Sequence, residues 1–308
     1  MPKLRIIFMG SAQFAVPSLQ LLLEQNFDVV AVVTAPDKPM GRGMKLGQSP
    51  IKEIAINRKI PLLQPSNLKA EEFLAELKSY NANLQVVVAF RMLPHAVWSM
   101  PLFGTFNLHA SLLPQYRGSA PINWAIINGE NETGVTTFFI EREIDTGHII
   151  FQEALTISDL DDAGSLYEKL MDLGSKLVLK TVRAIESGDC SSTPQPVSSH
   201  IKPAPKIFRE TCKIDWNQTS ERIKNFVRGL SPYPCAWTEI DGKTYKIFRI
   251  QILEPRNATM KSGNWKTDNK TYLYFYSNES VISILELQPE GKRRMKIEDF
   301  FRGNKIDK

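Results

Sequence analysis

Leu4 to Met9 is an unbroken apolar run that stops at Gly10, and a helical rhythm of apolar and polar positions follows it. Val16, Leu19, Leu22 and Leu23 share one face of a helix over Ala12 to Gln25, and Val29 to Thr34 is apolar again. A strand, a helix and a second buried strand in that order predict a parallel pair. The alternation then repeats. A helix is expected over Ala70 to Tyr80, a β-branched strand over Leu84 to Phe90, a strand from Thr105 to His109 and a helix over Pro121 to Asn128. Strands near Val135 to Ile140 and His148 to Ala154 complete the sheet. A long helix, capped by Asp161 or Asp162, runs to Ser187 with Leu166, Leu170, Leu173 and Leu177 in one core-facing stripe. Residues 1–189 thus read as an α/β domain with a Rossmann-like, mostly parallel sheet.

The pattern breaks at residues 190–206, which are rich in Ser, Thr and Pro and predict an extended, fairly stiff linker. Residues 207–308 resume with a helix over Thr219 to Arg228, ending at Gly229. Short strands follow at Ala236 to Ile240, Tyr245 to Leu253, Thr271 to Tyr276 and Val281 to Leu287, with an Asp241-Gly242 hairpin turn between the first two. Short strands joined by turns over about 100 residues favour a small β-barrel. No internal repeat is present.

Composition adds boundaries. The chain has 308 residues, 43% hydrophobic and 23% charged, which suits a two-domain globular protein. No apolar run reaches membrane-spanning length, and the N-terminus lacks the apolar stretch of a signal peptide. Three scattered cysteines argue against a disulfide framework and suit a reducing cytoplasm. Four histidines without a Cys-x-x-Cys disfavour zinc, so no metal is expected. The first turn, Gly10 to Ala15, lacks Gly-x-Gly-x-x-Gly, which disfavours a dinucleotide.

Charge divides the chain. Residues 207–308 hold 19 Lys and Arg against 13 Asp and Glu, whereas residues 1–206 hold 19 against 20. The net charge of +5 therefore arises in the last third, which suggests a polyanionic partner there. Two basic segments stand out. The stretch Thr34 to Ser49 carries Lys38, Arg42 and Lys45 among glycines and prolines, as a mobile loop that orders on a phosphate backbone would. The run Gly291 to Lys296 carries Lys292, Arg293 and Arg294 and is a candidate nucleic-acid contact.

The candidate chemistry lies between Phe106 and Ile122. If Thr105 to His109 is a strand, Asn107 and His109 share one face and Phe106 and Leu108 the other. An amide donor and an imidazole then stand at a strand end, where an open α/β sheet places its ligands. A lone histidine at such a place is commonly structural. Asp145, in the turn Asp145-Thr146-Gly147, supplies a carboxylate that could hold and charge the imidazole.

Taken together, Asn107-x-His109-x-Ser111-Leu112-Leu113-Pro114, then Arg117-Gly118, then Asp145-Thr146-Gly147 resemble the 10-formyltetrahydrofolate-dependent formyltransferases. The likeness spans nearly the whole chain and is greatest to members that act on methionyl initiator tRNA. It implies a C-terminal OB-like barrel at 207–308 that binds tRNA, opened by Leu230 to Trp237. Folate would be held by Ser111, Leu112, Leu113 and Pro114, and by the pterin-binding strand end with Phe90, Arg91, Met92 and Leu93. The family usually has Tyr-Gly before that apolar run; this chain has Phe90-Arg91, a substitution that alters the available backbone path. The basic loop would meet the acceptor end of the tRNA, with Arg42 where the family has its arginine. The family also suggests a monomer.

The expected reaction is formyl transfer from N10 of 10-formyltetrahydrofolate to the α-amine of the methionine, without a covalent enzyme intermediate. Asn107 and His109 would donate to the oxyanion, and Asp145 would orient His109 and help relay the amine proton. Competing readings are a formyltransferase for another amine, such as an amino sugar nucleotide, a 10-formyltetrahydrofolate hydrolase, and a non-catalytic tRNA binder. A Ser111-His109-Asp145 hydrolase is disfavoured, because no Gly-x-Ser-x-Gly surrounds Ser111.

Overall fold

The computed structural model describes residues 3–40, 45–197, 200–255 and 260–306. The chain forms two compact units: Met1–Gly118 with Thr133–Leu155 and Tyr167–Pro203, and Ser119–Glu132 with Thr156–Leu166 and Ala204–Lys308.

In the first unit, β1 (Arg5–Gly10) leads through a short 3-10 turn into α1 (Val16–Glu24) and back to β2 (Asp28–Val33). A hairpin of β3 (Lys38–Met40) and β4 (Lys45–Gly47) follows, then α2 (Pro50–Asn57) and β5 (Leu62–Leu63). The chain goes on to α3 (Glu71–Ser79), β6 (Leu84–Val88), the short α4 (His95–Trp98) and β7 (Thr105–His109). After α5 (Pro121–Ile127) come β8 (Glu132–Phe139), β9 (Ile149–Thr156) and α6 (Ala163–Ser187). Seven strands make one sheet in the order β5-β2-β1-β6-β7-β8-β9. Pairing is parallel from β5 to β7, and β8 runs antiparallel to β7.

This order positions the site. From β1 the chain first builds outward through β2 and β5, then crosses to β6 and β7 on the other side. Open α/β sheets place their ligands at the carboxyl ends of the strands near such a reversal. The central strands are buried on both faces: Ile7, Met9, Val33 and Val87 pack with Leu77 and Val97 on one side, and Phe8, Val86 and Phe106 are also fully enclosed. Each such side chain contributes about 1.5–3 kcal/mol by leaving water, which fixes the register of the strands and hence the height of their ends.

The second unit contains α5, α7 (Ser220–Leu230), β10 (Ala236–Ile240), β11 (Lys243–Pro255) and β12 (Trp265–Thr267). It ends with β13 (Leu273–Tyr276), β14 (Ser280–Pro289), β15 (Met295–Lys296) and α8 (Ile297–Phe301). The strands pair antiparallel in the order β10-β11-β14-β13-β12, with β15 also on β14. Irregularities at Ile247/Arg249, Arg249/Ile250 and Ile252/Pro255 curl this sheet into the OB-like half-barrel expected from the sequence. Asp241 and Gly242, at φ 49° and 72°, form its tight first hairpin. Thr219 caps α7 by accepting the Arg222 amide, and Ile223, Val227 and Leu230 point into the core beside Trp216, which stacks on Phe275 at 4.1 Å.

Three expectations change. Gly229 does not end its helix, which runs to Leu230. A Cβ there would lie 2.7 Å from Ile127 Cγ1, so the glycine allows α7 to lie close against α5. The Thr34 to Ser49 stretch contains the β3–β4 hairpin. Strands β5, β12 and β15 and helices α4 and α8 were not foreseen. Within the Ser- and Pro-rich stretch, Thr193 pairs with Ile149 in a β-bridge, and the chain up to Pro203 belongs to the first unit.

Candidate active site

Strand β7 spans the residues its alternation predicts. Leu108 faces the long helix α6, where a Cβ on Gly174 would come 2.7 Å from Leu108 Cδ2, so Asn107 and His109 look to the other face. His109, the last residue of β7, is paired with Thr136 on β8 and is only 6% exposed. Its Nε2 donates to the Tyr116 carbonyl at 2.8 Å. A carbonyl oxygen only accepts, so Nε2 carries hydrogen and Nδ1 is the nitrogen turned toward Asp145 Oδ2, at 3.8 Å. The same Asp145 oxygen accepts the Gly118 amide at 2.9 Å. Asn107 is half-buried, and its side-chain amide has no hydrogen-bond partner among the described residues.

The loop after β7 is sewn to β8. Thr136 Oγ1 donates to the Ser111 carbonyl at 2.6 Å and accepts from the Leu113 amide at 3.1 Å. Gln152 Nε2 adds bonds to Leu113 O at 2.9 Å and Thr136 Oγ1 at 3.0 Å. Three non-glycine residues around the site have left-handed backbone: Ala89 at φ 48°, Tyr116 at 60° and Asp145 at 56°. This conformation costs an ordinary residue roughly 1–2 kcal/mol, and such strain collects where surrounding bonds fix a functional geometry. Gly147 supports the same turn: a Cβ there would fall 1.8 Å from the Phe139 carbonyl oxygen.

The result is a buried imidazole with a carboxylate on one nitrogen, beside an amide with donors to spare. Fixed donors in a water-poor site stabilise negative charge that develops on an oxygen, as in attack on an acyl or formyl carbon.

Residues 4–182 match the family described as formyl transferase, and residues 206–305 match the formyl transferase C-terminal domain. The chain belongs to the formyl transferase family. It is 51% identical to methionyl-tRNA formyltransferase of Bacteroides fragilis over 97% of this chain and 95% of that one. With the protein of the same name from Phocaeicola vulgatus it shares 53% over 97% and 95%. Among solved structures, HypX from Aquifex aeolicus with tetrahydrofolic acid matches at TM-score 0.67 and 20% identity, covering 99% of this chain and 49% of that one. The N-formyltransferase from Helicobacter canadensis, with folinic acid and dTDP-3-aminofucose, matches at TM-score 0.65 and 22% identity, covering 91% and 99%. At these identities the structures share the fold.

The remaining candidates of this formyl transferase differ in setting. Ser111 is fully buried with its hydroxyl donating to the Gln115 carbonyl at 2.6 Å, and Leu113, Pro114 and Leu93 are interior. Leu112 and Phe90 are half-buried, and Met92 is 75% exposed. Arg91, the departure from the family pattern, reaches the carbonyls of Ser66, at 3.0 Å, and Pro65. It thereby ties the loop after β6 to the segment after β5.

Lys38 is exposed at the start of the β3–β4 hairpin; Arg42 and the Lys45 side chain lie outside the described residues. The hairpin's base is anchored at Asp37, which accepts from Lys52 Nζ at 2.5 Å and Gln64 Nε2 at 2.9 Å. Those bonds hold the Asp37 carboxyl below its ordinary value. In the second unit Lys292, Arg293 and Arg294 are exposed on the β14–β15 turn. Among the described residues no group of three or more His, Cys, Asp or Glu is arranged to hold a metal, and no helix is long and apolar enough to cross a membrane.

Sequence reasoning overlooked the groups that hold Asp145 and His109: the Tyr116 carbonyl, the Gly118 amide and Gln195. The Arg117-Gly118 pair was visible as a motif but carried no role. Gln195 lies 50 residues from Asp145, where no local pattern reports a contact.

Proposed function

We propose that this formyl transferase moves the formyl group of 10-formyltetrahydrofolate to the α-amine of methionyl initiator tRNA, in the cytoplasm and as a monomer. The observation that carries the reading is the His109–Asp145 pair beside the unpartnered Asn107 amide, in a chain half-identical over its length to proteins named for this activity.

The neutral amine attacks the formyl carbon, and the oxygen of the resulting tetrahedral species takes up negative charge. Asn107 donates to that oxygen, and His109 donates to it from Nδ1 once that nitrogen has taken up a proton, its Nε2 hydrogen being held by the Tyr116 carbonyl. Asp145 orients the imidazole and helps relay the amine proton as tetrahydrofolate leaves. The folate co-substrate lies along Ser111 to Pro114 and Phe90 to Leu93. The buried members of those segments shape the loop, and backbone groups read the ring. Residues 1–189 carry the chemistry, residues 190–206 connect, and the basic residues 207–308 bind tRNA through Lys292, Arg293 and Arg294. Lys38, Arg42 and Lys45 meet its acceptor end.

Transfer to an amino sugar is the weaker reading. The sugar N-formyltransferases share the fold at about a fifth identity, against about half for the relatives named for tRNA. The deciding assay is formyl transfer from 10-formyltetrahydrofolate to methionyl initiator tRNA, with methionyl elongator tRNA and no-acceptor controls. Formylation confined to the initiator is expected. Release of tetrahydrofolate with no formylated tRNA would sink the proposal and leave a hydrolase or a small-amine acceptor.

A further inference from the structure

Residues 193–197 and 200–203 bond from two directions to the backbone that holds the reacting groups. Thr193 forms a two-bond bridge to Ile149, 2.8 and 2.9 Å, next to the turn that carries Asp145. Gln195 Nε2 then donates to the carbonyls of Asp145, at 2.8 Å, and Gly147, at 2.9 Å. Gln195 Oε1 accepts from Arg117 Nε at 3.1 Å and Nη2 at 2.6 Å. Both amide hydrogens and the amide oxygen are therefore used.

Further along, the Lys202 carbonyl accepts the Tyr116 amide at 2.7 Å. Tyr116 is the residue whose own carbonyl takes the His109 Nε2 hydrogen. Gln115 fixes this crossing by accepting from the Lys202 amide at 2.9 Å and donating to the His200 carbonyl at 3.3 Å. One nitrogen of His109 is thus placed through Lys202, and the carboxylate facing the other is placed through Gln195.

We infer that the stretch carrying Gln195 and Lys202 is a positioning strap for the reaction, and that Gln195 is the positioning residue that sets Asp145 against His109. The inference rests on the reading that His109 and Asp145 carry the chemistry. The donor set explains why a glutamine is needed. Asp145 sits in left-handed backbone at φ 56°, and its turn needs two hydrogens delivered to carbonyls 145 and 147 from a single rigid plane. A carboxylate could still satisfy Arg117, but it would aim oxygen at oxygen on the other side.

That asymmetry supplies the test. Gln195→Glu keeps the size and the Arg117 contact and removes both donors. A role confined to holding Arg117 would leave Gln195→Glu near wild type. The strap predicts that kcat falls about 10- to 100-fold, as displaced reacting groups do, while KM for each substrate moves less than about twofold. With only four histidines in the chain, ring nitrogen NMR gives a second readout. The His109 resonances should shift, and those of His95, on α4, should stay.

A Gln195→Glu enzyme that folds and keeps kcat within about twofold, or loses rate with His109 resonances unmoved, overturns the inference. If Gln195→Glu does not fold, Gln115→Met decides, because it releases the Lys202 crossing: a fall in kcat with shifted His109 resonances supports the strap, and neither change defeats it. Asp145→Asn separates the two layers. Full activity there would overturn the chemistry and the strap together. An inactive Asp145→Asn beside a fully active Gln195→Glu would overturn the strap alone.

Discussion

The end of β7 and the β14–β15 turn both gather polar side chains, and they are built in opposite ways. At β7 the imidazole is 6% exposed and each of its nitrogens faces a fixed oxygen, while the following loop is stitched to β8 atom by atom. At the turn the side chains are exposed and use whatever lies nearby: Arg294 bonds Glu286 at 2.7 Å and sits 4.4 Å over the Phe248 ring, and Lys292 reaches Asn304 at 2.5 Å. Arg293 has no such partner among the described residues. The first construction suits a reaction, where charge develops at one atom and misplacement is costly. The second suits a polyanion, whose charge is spread and whose attraction is screened by salt.

The sharpest way to break the comparison is at the buried site. Asn107→Ala, His109→Ala and Asp145→Ala should each lower kcat on the order of 100- to 1000-fold, with the circular dichroism spectrum retained. A near-normal rate from any one of them removes that residue from the chemistry. Next in size is Gly147→Ala. Its methyl has no room against the Phe139 carbonyl, so the turn must move and take Asp145 with it. Overpacking of this kind costs about 1–3 kcal/mol, measurable as a lower urea midpoint, and kcat should fall with it. A stability loss at unchanged kcat would show that the turn tolerates displacement.

At the exposed turn the expected effects are smaller and of another kind. Arg293→Ala should leave stability unchanged and reduce the slope of log kcat/KM for tRNA against log salt by about 0.7–0.9, the share of one phosphate contact. Arg294→Ala should also cost about 0.5–1 kcal/mol of stability, because the guanidinium stacks on Phe248. Equal effects of the two substitutions on both readouts would mean that their different partners do not matter.

How much of this was legible follows from the range of the contacts. Thr105 to His109 came out residue for residue, because alternation is a local property and both neighbouring strands enforce it. The first strand and helix came out nearly as well for the same reason. Trp265–Thr267 is too short for any periodicity to register, and Gly229 looked like a helix stop because a missing side chain reads alike whether it serves a turn or a close approach. The candidate set Asn107, His109 and Asp145 was visible through its spacing. The groups that hold it were not, since Gln195 and Lys202 act over separations of 50 and 86 residues through backbone carbonyls that every residue carries.

The β3–β4 hairpin combines the two constructions and gives the smallest test. Its arm exposes Lys38, while its base is clamped at Asp37 by Lys52 and Gln64. Because those bonds hold the folded carboxyl below its ordinary 3.8, the clamp is fully present above that value. It weakens only as the pH falls through the lower, folded value. Neutral pH therefore leaves the clamp intact, and Asp37→Asn should reproduce the acid effect there. Amide exchange of Lys38, Met40, Lys45 and Gly47, which pair across the hairpin, should quicken a few-fold in Asp37→Asn, with β1 unaffected. If exchange is unchanged, the clamp does not hold the hairpin, and the order of this arm must come from its own cross-strand pairing.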